Sequence, residues 1–67
     1  MSAHVEWADA EYVGVEVATT GERIGEHTVD APLGLVLGAD SLFVIEGDAA
    51  SLRRIAQAIT TALDRAT

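Results

Sequence analysis

Residues 33–45 read LGLVLGADSLFVI, two short apolar runs around Gly38-Ala39-Asp40-Ser41. Runs of this length suit strands better than helices, and the turn-forming residues between them predict an antiparallel hairpin. A strand in a small domain commonly hides one face and wets the other. Here nearly every position is apolar, so both faces of the hairpin need cover. With Ala39-Asp40 as a two-residue turn, Leu37 pairs with Leu42, Val36 with Phe43, Leu35 with Val44 and Gly34 with Ile45. One face then carries Leu33, Leu35, Leu37, Leu42 and Val44. The opposite face carries Val36, Phe43 and Ile45, with Gly34 and Gly38 leaving room for a close approach.

C-terminal to this hairpin, spanning 33–46, Asp48 is a good N-cap, able to accept from the free amides of a first helical turn. Ala49, Leu52, Ile55, Ala56, Ile59, Ala62, Leu63 and Ala66 then fall on one arc at 100° per residue. Arg53, Arg54, Gln57, Thr60, Thr61, Asp64 and Arg65 fall on the other. The spacing predicts a helix over 49–66 with one face to bury.

N-terminal to the apolar hairpin, Val13, Val15 and Val17 alternate with Tyr12, Gly14 and Glu16, the period of a half-buried strand. A loop at Asp9-Ala10-Glu11 would complete a first hairpin over 3–19, pairing Trp7 with Val13, Val5 with Val15 and His4 with Glu16. Residues 20–32 form a polar connection. Gly21-Glu22 opens a turn there, residues 24–29 have weak strand character, and Pro32 stands just before the second hairpin. The expected architecture is α+β: a small antiparallel meander of three to five strands, then one C-terminal helix packed on the sheet, all within a single domain over 1–67.

One helix shields one sheet face and leaves the other open. Either the first hairpin folds over the second as a partial barrel, or a symmetric copy supplies the second layer. So little chain remains for a second layer that a homodimer is the expected arrangement, with Val36, Phe43, Ile45, Leu35 and Val44 as interface candidates. A core from 67 residues supplies alone only about 3–5 kcal/mol of net stability. There is no cysteine, so neither disulfides nor thiolate metal sites can supplement it, and a reducing compartment is expected.

Charge is unevenly laid out. Residues 1–48 hold ten acids and one Arg, a net −9, whereas 49–67 hold three Arg and one Asp, a net +2. The acidic body repels phosphate backbones and anionic membranes, so no direct nucleic-acid or membrane contact is expected. A basic protein, such as a transcriptional regulator, or a second copy offering its arginine-bearing end fits better. Arg53, Arg54 and Arg65 on the helix, with Trp7, are the candidate docking residues. The start of the chain lacks the basic-then-apolar pattern of a secretory leader, and a cytoplasmic protein is expected. Lysine and asparagine are absent, a usage suggestive of a GC-rich genome such as that of an actinobacterium or its phage.

Chemical signatures are sparse. His4 and His27 with Glu6, Glu16, Glu26 and Asp30 match no metal-ligand spacing. Ser41 and Ser51 have no histidine at a spacing that would activate them, and the glycines form no phosphate loop. No catalytic, cofactor-binding or metal residue is therefore nominated. In size, charge and the hairpin-then-helix ending around IEGDAASLRRI, the chain is similar to small acidic actinobacterial proteins encoded beside helix-turn-helix regulators. It lacks that group's Arg-Asp-Ser strand motif and Trp-x-x-Phe helix motif. The functional expectation is a small acidic non-enzymatic interaction or regulatory module. Two alternatives are an acidic decoy for a nucleic-acid-binding protein and a weak metal- or small-ligand-binding protein.

Overall fold

A computed structural model describes residues 3–67. The fold is α+β: strands β1 (Gly14–Thr19), β2 (Arg23–Ile24), β3 (His27–Thr28), β4 (Leu33–Gly38) and β5 (Leu42–Gly47), then helix α1 (Ala49–Ala66). β1, β4 and β5 form one three-stranded antiparallel sheet in that order, and β2 and β3 form a separate two-stranded ladder.

The helix begins and ends where the sequence places it. The Asp48 carboxylate accepts from the Ser51 amide at 2.7 Å, and the Thr67 amide closes the last turn on the Leu63 carbonyl at 3.1 Å. Its N-terminal half packs on the sheet, with Ala49, Leu52 and Ile55 half-buried, but none of its residues is fully buried.

Three expectations are corrected. The first concerns the hairpin over 3–19, which does not form. Residues 3–9 are irregular, and Asp9 caps a single 3-10 turn at Ala10–Tyr12, its carboxylate accepting from the Glu11 amide at 3.0 Å. β1 pairs instead with β4, Val15 facing Leu37 and Val17 facing Leu35. Joining β4 sets the valines into one continuous apolar face, whereas residues 3–9 could offer only Val5 and Trp7. His4 bonds to Glu6 at 2.8 Å rather than lying across from Glu16.

The second correction is the β4–β5 register. The loop is three residues long, Ala39 to Ser41, so Gly38 faces Leu42, Leu37 faces Phe43, Val36 faces Val44 and Leu35 faces Ile45. The two-residue turn would have set Glu46 opposite Leu33, on the leucine-rich side. The observed register sets Glu46 opposite Gly34, because a one-residue slip moves every side chain of a strand to the other face.

The third correction concerns cover for the Val36 side. The polar connection covers it around Val36 and Ala18, while Leu42 at the far end of the same side stays 60% exposed. β2 and β3 fold back over that face, and Val29 at their base is 1% exposed. With Ala18 and Val36 it makes the buried core, flanked by Ile24 and Val44. Gly34 makes room for it: a Cβ there would lie 3.2 Å from one Val29 methyl and 3.3 Å from a Val44 methyl. The close approach read from the glycines is thus made by the chain itself.

Turn chemistry and one carboxylate hold this lid. Gly21 and Gly25 carry the positive φ angles of its turns, +89° and +61°, a region open to glycine at little cost. Gly21 and Val29 amides donate to the Val29 and Glu22 carbonyls at 2.8 and 2.9 Å. From β5, Glu46 Oε1 accepts from the Asp30 and Ala31 amides at 2.8 and 3.2 Å, and its Oε2 meets His27 Nε2. These bonds, the Asp30 amide first and then the His27 side chain and the Ala31 amide, hold the Glu46 carboxyl below its ordinary value.

Candidate interaction surface

Pairing across the strands sorts side chains onto two faces. The lid side carries Gly34, Val36, Val44 and Glu46. The other carries Val15 and Val17 from β1, Leu33, Leu35 and Leu37 from β4, and Phe43 and Ile45 from β5. No charged residue of the three strands lies on this second face. It is also the less covered one: Phe43 is 65% exposed and Val15 and Val17 are each 62% exposed.

The helix starts at one end of this open face. Ala49, Leu52, Arg53 and Ala56 stand across a gap of about 240 Å³ from Val17, Leu33 and Leu35. Further along, the same apolar stripe goes without cover, Ile59 being 55% and Leu63 60% exposed. At the other end, the N-terminal arm and the β4–β5 loop enclose an open cleft of about 1130 Å³, walled by Trp7, Tyr12, Leu37 and Phe43. The result is an apolar floor with an apolar rod rising from one end.

The nominated interface residues divide accordingly. Phe43, Ile45 and Leu35 share the open face, Phe43 exposed and the other two half-buried. Val36, buried, and Val44, half-buried, lie on the opposite side beneath the lid and are not part of the open face; the register slip had exchanged Val44 with Phe43. Arg53 borders the gap between helix and sheet, and Arg54 and Arg65 are exposed. Trp7, the fourth docking candidate, is 87% exposed on the cleft wall.

Sequence reasoning missed Val29 and Glu46 as the parts that sort the two faces. The available signal was the glycine at 34 inside an otherwise bulky strand, which marks a close approach.

Chemically, the described residues bring together no group of three or more His, Asp or Glu side chains suited to a metal ion, and none of their buried residues is polar or charged. The two carboxyls with displaced acidity, Glu46 and Asp48, are both held low, Asp48 by the Ser51 amide and then the Ser51 side chain. A lowered carboxyl is a weaker base, opposite to the shift that general-base work favours. Among the described residues no helix is long and apolar enough to cross a membrane. No family model, curated protein or solved structure matches the chain at a significant level.

Proposed function

We propose that this chain is a small non-enzymatic interaction or regulatory module, acting through self-association and docking onto a partner protein. One observation carries the reading: an apolar sheet face and an apolar helix stripe lie open on the same molecule. Contiguous apolar surface of this kind marks interaction sites. Each large side chain is worth about 1.5–3 kcal/mol when taken out of water, so cover is strongly favoured. The acidic body sets the sign of a heterologous partner, a basic protein surface such as that of a transcriptional regulator.

The decoy alternative requires free carboxylates along a continuous track. Among the described residues five acids are engaged: Glu6 by His4, Asp9 by the Glu11 amide, Glu22 by Thr19, Glu46 by the lid and Asp48 by Ser51. Carboxylates occupied as caps and staples are poor mimics of phosphates, which weighs for the module.

Size-exclusion chromatography with light scattering, run beside an apolar fluorescent dye, tests the reading. Association, or a monomer that binds the dye, is the expected result. A stable monomer with no dye binding overturns it.

A further inference from the structure

We infer that the occupant of the open face is a second copy of this chain, each protomer laying the outer half of its helix on the partner's bare sheet face. This rests on the module reading above and specifies its partner and geometry.

Area is the first ground. The chain exposes 5617 Å², against about 4,000 Å² expected of a compact monomer of its mass. The excess is roughly twice the ~800 Å² that each partner gives up in a standard interface. Even with half assigned to the splayed arm over 3–13, enough remains for a stable dimer. The radius of gyration agrees, 13.3 Å against about 11 Å for a compact chain of this length.

Complementarity is the second ground. Apart from the N-terminal arm and Leu42, the uncovered apolar surfaces are a floor, with Val15, Val17 and Phe43, and a rod, with Ile59 and Leu63. Both lie on one chain, so a single two-fold operation covers both, which is the closed, isologous solution. Stacking floor on floor would leave both rods wet.

Charge is the third. The helix segment 49–67 carries net +2 and the body net −9. The outer half of the helix, residues 57–67, balances Arg65 against Asp64, so it meets the partner's acidic body without repulsion. Like bodies stacked directly would repel.

The chain has no cysteine, so single thiols report contacts cleanly. Light scattering should give twice the 7.0 kDa protomer mass. Ile59→Asp should raise the dissociation constant on the order of 100-fold by placing a charge in an apolar contact. Full-length Phe43→Cys and Ile59→Cys proteins are mixed and treated with a short bismaleimide. The 43–59 cross-link should exceed both the 43–43 and the 59–59 products. Predominance of 43–43 links overturns the helix-on-sheet geometry and leaves the module reading standing. A 7.0 kDa mass at all concentrations with dye bound overturns self-association alone; the same mass without dye overturns both readings. If Ile59→Asp loses its helix by circular dichroism, the cross-link ratio in otherwise native chains still decides.

Discussion

Truncating Val29 to alanine removes the side chain on which the lid stands. Val29 is 1% exposed and packs into the socket above Gly34, against Val44. Two carbons leave an apolar site at about 0.8 kcal/mol each. A cavity term adds to this, because the β2–β3 ladder and the Glu46 bonds restrain the lid from collapsing into the space. Together they come to about 2–2.5 kcal/mol, a large share of the ~3–5 kcal/mol a core of this size supplies. Urea unfolding followed by circular dichroism, at one fixed protomer concentration, reads the change as a lower midpoint with unchanged slope. Val5, 75% exposed on the arm, serves as the control, and its alanine variant should stay within about 0.5 kcal/mol of the parent. A Val29→Ala loss no larger than that of the control would refute the lid as a source of stability.

Acid should loosen the lid before the sheet. Glu46 has a folded-state pKa below its ordinary value of 4.5, so it contributes stability above that pH and ceases to as pH falls through the lower folded value. Hydrogen-exchange protection at Asp30 and Ala31, corrected for intrinsic rates, should fall across that window, and Glu46→Gln should weaken it already at neutral pH. Gly25→Ala, placed at φ +61° with open space around its Cβ, should cost about 1–2 kcal/mol through backbone strain alone. Gly34→Leu should instead expel Val29, with loss of Val29 amide protection as the readout. Asp48→Ala should reduce helix content by circular dichroism, and Asp48→Asn, which keeps the acceptor, should recover most of it.

The helix was legible because its signals are local: an N-cap, then one clean stripe at helical period. β4 and β5 were legible as strands for a similar reason, since apolar runs bounded by turn residues need no knowledge of the partner. Their register was not. Where both faces of a strand are apolar, alternation says nothing about which face is which, and only Glu46 distinguishes the two loop lengths. β1 was legible as a strand and misread as to its neighbour, because period-2 alternation specifies a buried face and leaves the hydrogen-bonded partner open. The lid lay beyond reach for another reason. Its role depends on two apolar residues, Ile24 and Val29, in an otherwise polar stretch, and on a socket that exists only once Gly34 is placed. At the surface, Phe43, Ile45 and Leu35 followed from the two-sided apolar pattern. Val36 and Val44 went to the other side with the register and the lid, and Trp7 stands exposed on the arm because the strand expected to hold it does not form.

The lid is tethered at its base, through Val29 and the amides that Glu46 grips, whereas its tip at Gly25-Glu26 is exposed. An engineer wishing to graft a tag or epitope would choose that tip. An insertion there lengthens a loop at a slowly growing entropic cost and leaves the socket, the staple and the greasy floor on the far side untouched.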